Sequence, residues 1–214
     1  MRELAVCVQN SNKEVDPIQT IYSIKNNGFK NVFVQWYDEN WKVSQQEQVN
    51  LCKKLGLNII FAHLGYQNIN AIWKEGEEGE KLIERYQKNI KDCKENGIKL
   101  VIMHLASKFN APKYNEIGLK RIKKITDYAK GLGVKVAFEN TKLKGYLEYV
   151  LSYITDENVG ICFDIGHYHA HFNDEFPFET FKNKIFAIHL HDNDQSDDQH
   201  LLPFDRNNKL GEFY

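Results

Sequence analysis

The chain has 214 residues, with 28 basic and 29 acidic side chains and a formal net charge of −1. Its 42% hydrophobic content is that of one folded domain, residues 1–214, with a sizeable core, and excludes a disordered chain, a collagen or a disulfide scaffold. Near-neutral charge gives no long-range pull on phosphates, so nucleic acid is not the expected partner.

In chain order, seven apolar runs rich in Val, Ile and Phe read as strands: 4–8, 32–36, 57–64, 99–105, 134–140, 159–165 and 185–191. Nearly continuous runs of this kind are expected in strands buried on both faces of a parallel sheet. Between them lie helical signals. Asp16 before Pro17 forms an N-cap and first-turn pair, and Gly28 stops that helix. Ser44 with Glu47 three residues later reads as a capping box, closed at Gly56. The stretches EKLIERYQKNIKDCKENG and NEIGLKRIKKITDYAKGLG each end at glycine, and KGYLEYVLSYI and a weak PFETFKN fill the last gaps. No run reaches the roughly 20 apolar residues of a membrane helix, and MRELAVCVQN lacks signal-peptide order, so a cytoplasmic protein without a membrane partner is expected. Cys7, Cys52, Cys93 and Cys162 lie far apart without a C-x-x-C pair and read as reduced, mostly buried thiols.

The βα repeat predicts an α/β fold. A doubly wound sheet and a (β/α)8 barrel both fit, but no G-x-G-x-x-G follows the first strand, which favours a barrel lacking an eighth unit. The eight histidines are the chemical signal. This reading places none on a helix: His63 and His104 end strands three and four, His167, His169 and His171 follow strand six, His189 and His191 end strand seven, and His200 lies beyond. In a parallel barrel the carboxyl ends of all strands ring one mouth, and Glu139 and Asp164 end strands five and six there. Carboxylates and imidazoles crowded without a counter-charge lose hydration at high cost, which a divalent metal resolves. Glu139, Asp164 and His189 offer mixed O and N ligands, and neighbouring imidazoles suit zinc, manganese or cobalt better than calcium or magnesium.

The stretches VAFEN, FDIGHYHA and HLHDND, each at a strand end in that order, resemble the xylose isomerase-like TIM-barrel superfamily, which contains sugar and sugar-phosphate isomerases and epimerases and endonuclease IV. The resemblance implies a metal held by Glu139, Asp164 and His189, with His191 as an alternative third ligand, and a strand-eight Glu that has no counterpart here; Glu212 is the only acidic residue near that position. The endonuclease IV pattern adds His63 (in H-x-x-Y with Tyr66), His104, His167, and Asp198 with His200. The loops WYDENW and HDNDQSDD are short or acidic and lysines concentrate on helices, which favours a small sugar or sugar phosphate over DNA. The implied reaction is isomerisation or epimerisation through an enediolate, with Glu139 as base and His167 orienting or protonating a substrate oxygen; the alternatives are zinc-dependent phosphodiester cleavage at abasic DNA, as in endonuclease IV, and a degenerate protein that binds metal and sugar without turnover. Trp36, Tyr37, Trp41, Tyr66 and His191 are candidates for contacts to the sugar, and Asp192 and Asp194 for supporting the site or for a solvated turn. Seven strands leave two unpaired edges, which favours a homo-oligomer.

Overall fold

A computed structural model describes residues 3–8, 16–37, 43–172 and 176–203. Trp41 and Glu212 lie outside the described residues. The seven expected strands are present as β1 (Val6–Cys7), β2 (Asn31–Trp36), β3 (Asn58–Leu64), β4 (Leu100–Met103), β5 (Lys135–Glu139), β6 (Val159–Asp164) and β7 (Ile185–His189). They form one sheet in sequential order, every pair parallel. The sheet is strongly curled. Phe33 on β2 lies 5.8 Å, ring to ring, from His189 on β7, although four strands stand between them in the sheet order. The result is a TIM-type barrel in which, among the described residues, no eighth strand follows β7.

Helices return the chain after the strands, as the caps require. Helix α1 (Pro17–Asn26) starts at Asp16, whose carboxylate accepts from the Ile18 N–H. Helix α2 (Gln45–Lys54) carries the full Ser44–Glu47 capping box. Helix α3 (Glu77–Glu95) buries Leu82, Ile83, Tyr86, Ile90 and Cys93, a three-and-four spacing that lays one apolar stripe on the sheet. Helices α4 (Glu116–Gly131) and α5 (Tyr146–Tyr153) follow. The weak signal near 178 is a single turn, α7 (Phe178–Phe181). One expectation fails: His167, His169 and His171 are helical, in α6 (Ile165–His171). Asp164 caps this helix by accepting from the His167 N–H at 2.7 Å, so a carboxylate read as a ligand also nucleates the turn that carries the next histidine.

Two apolar layers result. The larger lies between sheet and helices and includes Val32, Val34, Trp36, Leu64, Trp73, Tyr86, Val136, Phe138 and Ile161. The smaller fills the barrel interior with Phe61, Ile102, Ala137 and Cys162, against which Phe33 and Phe186 pack. Each fully buried large side chain contributes about 1.5–3 kcal/mol, so the outer layer dominates stability while the lumen fixes the curvature. Alternation along β2 puts Trp36 in the outer layer, opposite in direction to Phe33. Trp36 is therefore buried in the helix-facing layer, at 7% exposure. None of the four cysteines is in a disulfide, and Cys52, Cys93 and Cys162 are buried, as expected.

Candidate metal centre

The carboxyl ends of β3 to β7 deliver the predicted residues to one point. Glu139, at the end of β5, is buried at 4% exposure and meets four imidazoles. Its Oε2 lies 3.0 Å from His63 Nε2, 3.3 Å from His104 Nε2 and 3.4 Å from His189 Nδ1, while its Oε1 lies 3.2 Å from His167 Nδ1. Parallel register sets Asp164 beside His189, and the same His189 Nδ1 is 3.4 Å from Asp164 Oδ2. His189 Nδ1 thus stands 3.4 Å from a carboxylate oxygen of both Glu139 and Asp164. A second cluster adjoins the first: His191 Nε2 is 3.0 Å from Asp164 Oδ1, and Asp198 Oδ2 is 3.1 Å from His167 Nε2 and 3.3 Å from His200 Nε2. His191 and His200 stack at 3.9 Å.

Among the described residues three groups of donors have ligand atoms close enough to share an ion: His63, Glu139 and His189; Asp164, His167 and His191; and His191, Asp198 and His200, the last two sharing His191. The hydrogen bonding of His63 tests whether a cation fits. Its Nδ1 lies 3.1 Å from the Leu64 carbonyl, which can only accept, so Nδ1 carries a proton. Burial lowers the pKa of this ring more than Glu139 restores it, which favours the neutral form and leaves the Nε2 lone pair aimed at a carboxylate oxygen. Two lone pairs facing each other at 3.0 Å repel, and a cation between them turns the repulsion into coordination. The buried His191 Nδ1 and Asp198 Oδ1 have no hydrogen-bond partner among the described residues, a further mark of donors held for another purpose. The donor set of imidazoles and carboxylates fits zinc, manganese or cobalt.

Burial pushes the Glu139 carboxyl up, but the His189 and His104 charges beside it hold it well below the usual carboxylate range. Burial likewise raises the Asp164 carboxyl, and the His167 charge with bonds from His189 and His191 brings it down. His167 is opposed by burial, yet Asp164, Asp198 and Glu139 push it up to about 11.

Several supports were invisible as such in the sequence. The Asn140 side chain donates to the Asp164 carbonyl at 2.9 Å and accepts from the Asp164 N–H at 2.7 Å, tying the ends of β5 and β6 together. Asn140 also places its own carbonyl 3.0 Å from His167 Nδ1. A Cβ at Gly166 would stand 2.0 Å from the His191 ring, so only glycine lets that ring reach Asp164. Asn140 sits in VAFEN and Gly166 in FDIGHYHA, so adjacency to a ligand was the available signal.

The remaining candidates divide. Tyr66 is 41% exposed and stacks on His104 at 4.4 Å, at the open side of the site. His191 is enclosed among the donors, between Asp164 and Asp198, and not free at the surface. Asp192 is buried and Asp194 exposed, the latter closing a turn with Ser196. His169 turns aside to Asn193 and Gln195.

A family model described as xylose isomerase-like TIM barrel matches residues 21–212. A protein of Methanocaldococcus jannaschii, "Uncharacterized protein MJ1311", is 34% identical over 91 residues, which make up 37% of this chain and 31% of that protein, so under a third of its length is matched. Among solved structures, a D-tagatose 3-epimerase-like protein superposes with a TM-score of 0.75 at 20% identity, covering 93% of this chain and 79% of the other. An AP endonuclease, family 2, from Brucella melitensis gives 0.64 at 14% identity, covering 88% and 78%. At these identities the two structures speak to the fold alone.

Proposed function

Starting from the xylose isomerase-like TIM-barrel family, to which this chain belongs, we propose that the protein is a metal-dependent isomerase or epimerase of a small sugar or sugar phosphate. The observation that carries the reading is the division of labour on Glu139: Oε2 faces three imidazoles of the donor cluster, while Oε1 is turned to His167. A bound divalent cation supplies Lewis acidity that favours an enediolate over the parent carbonyl. The surrounding imidazoles keep Glu139 ionised, so it is available to accept the proton α to the carbonyl. His167, held between Glu139 and Asp198, is placed to orient or protonate a substrate oxygen. Tyr66 offers a ring edge or face to the sugar at the mouth.

A second reading, phosphodiester hydrolysis, is favoured by one observation: the donors form three groups, two of them sharing His191, more than a single ion requires. Two measurements separate the readings. The isomerase reading expects one tightly held manganese, cobalt or zinc ion per chain and deuterium from heavy water appearing at the α carbon of candidate ketoses. Three zinc ions with no label incorporated by the metal-replete protein into any ketose would replace it with the hydrolytic one.

A further inference from the structure

The mouth of the barrel is electrically divided. On the β7 side it carries Asp192, Asp194, Asp197 and Asp198. The loops leaving β4 and β5, residues 105–115 and 140–145, contain Lys108, Lys113, Lys142 and Lys144 and no acidic residue. These lysines escaped the reading of basic residues as helix-surface charge.

The loops are built and held. The Asn70 side chain donates to the Ser107 carbonyl at 2.6 Å and accepts from the Ser107 N–H at 2.9 Å. The Asn115 amide donates to the Trp73 carbonyl at 2.8 Å, and the Tyr146 hydroxyl donates to the Pro112 carbonyl. Within this frame Lys108 adopts φ +62°, a left-handed conformation that a lysine adopts only at a cost. Beside it Phe109 stands 76% exposed, capped by Lys142 with Nζ 4.5 Å from the ring centre. An exposed phenylalanine next to a strained lysine serves no core. The loops also border the metal centre: Leu105 from one and Asn140, Thr141 and Leu143 from the other line a cavity together with Glu139.

We propose that the loops after β4 and β5 form an anion cradle, with Lys142 over the Phe109 ring and Lys108 next to it in the chain, that takes the phosphate of a phosphorylated sugar whose reacting end lies at Glu139. This inference rests on the isomerase reading and narrows it to phosphorylated substrates. It puts the phosphate away from the loops after strands seven and eight, the usual barrel position. The separation of charge orients the ligand: phosphate toward the lysines, carbonyl end toward the carboxylates and imidazoles. A small phosphate monoester suits the patch better than a nucleic-acid strand, because the basic surface stops at the acidic side of the same mouth.

The test uses the full chain loaded with manganese, titrated calorimetrically with a ketopentose 5-phosphate, a ketohexose 6-phosphate, the two unphosphorylated ketoses, inorganic phosphate and a short single-stranded DNA. Parent protein is compared with the Lys108→Ala/Lys142→Ala double variant and with Lys123→Ala, on the exposed face of α4, with metal content measured for each. The parent is expected to prefer at least one phosphorylated ketose over its plain counterpart by about tenfold or more, a preference that weakens with salt, that the double variant loses and that Lys123→Ala keeps. Equal binding of phosphorylated and plain ketoses by the parent, or a preference unchanged in the double variant, would overturn the cradle. Tighter, steeply salt-dependent binding of the DNA would overturn the choice of a small substrate. Deuterium wash-in run on the same samples separates the two claims: wash-in on plain ketoses that ignores the lysines leaves the isomerase reading without the cradle, and lysine-dependent phosphate preference without wash-in leaves the cradle without the isomerase.

Discussion

Replacing Glu139 by Gln keeps the volume of a side chain buried at 4% exposure and removes only its charge. In the metal-free protein that charge is the common partner of His63, His104, His167 and His189 at 3.0, 3.3, 3.2 and 3.4 Å. Taking one member from a buried ionic cluster costs roughly 3–5 kcal/mol when the remaining charges cannot adjust. Imidazoles can adjust by releasing protons, and His63 is already biased toward its neutral form, so the lower end, about 3 kcal/mol, applies. For a domain of this size each kcal/mol moves the midpoint by about 2–4 °C, so metal-free Glu139→Gln should melt roughly 6–12 °C below the metal-free parent. Metal should widen the gap, because the parent gains linkage stabilisation that the variant, short of the central carboxylate, gains only weakly. Differential scanning calorimetry with and without metal, plus metal analysis of the dialysed protein, reads both effects. Coincident melting curves in the two states, with equal metal content, would refute the view that Glu139 is the hub of the site.

Other consequences reach beyond the site. Arg121 is buried and donates to the carbonyls of Ala71, Ile72, Lys74 and Gly76 as well as to Glu80, so Arg121→Ala strands several acceptors and should lower urea stability by about 3 kcal/mol, whereas Glu80→Ala, at an exposed partner, should cost under about 1 kcal/mol. Asp16→Ala removes the α1 cap and should cost about 1 kcal/mol by the same assay, with Asp16→Asn restoring most of it. Burial pushes the Cys52 and Cys162 thiols up to about 11 and raises that of Cys93, so at pH 8 a thiol reagent should label half-buried Cys7 in the native protein and all four cysteines only after denaturation, as mass spectrometry of the adducts would show.

The strands and long helices were legible because their signals are local. The Ser44 box, the Asp16–Pro17 start and the apolar stripe of α3 each depend on residues a few positions apart, and all three formed as written. The convergence of Glu139, Asp164 and His189 was legible for a different reason: a parallel barrel gathers all strand ends, so placing a residue at a strand end already places it at the mouth. Direction was harder. Trp36 also ends a strand, but pleating sends it outward into the helix layer, and apolar residues at both parities, Val32, Phe33, Val34 and Trp36, hide that direction in the sequence. The helix carrying His167 was missed because it is seven residues long and begins at a candidate ligand, so its cap, Asp164, was counted for chemistry and not for structure.

That double use explains why the site is dense in histidine without being loose. Asp164 spends one oxygen on the His167 N–H, which fixes the first turn of α6 and so the height of the His167 ring. The Asn140 side chain pins the Asp164 backbone, and the bare face of Gly166 admits the His191 ring to the same carboxylate. Each donor is therefore positioned by backbone hydrogen bonds or close packing as well as by attraction to its neighbour. Electrostatics alone would leave carboxylates and imidazolium ions free to rearrange around any charge that entered; backbone anchoring of the Asp164 and His167 side chains restricts that rearrangement.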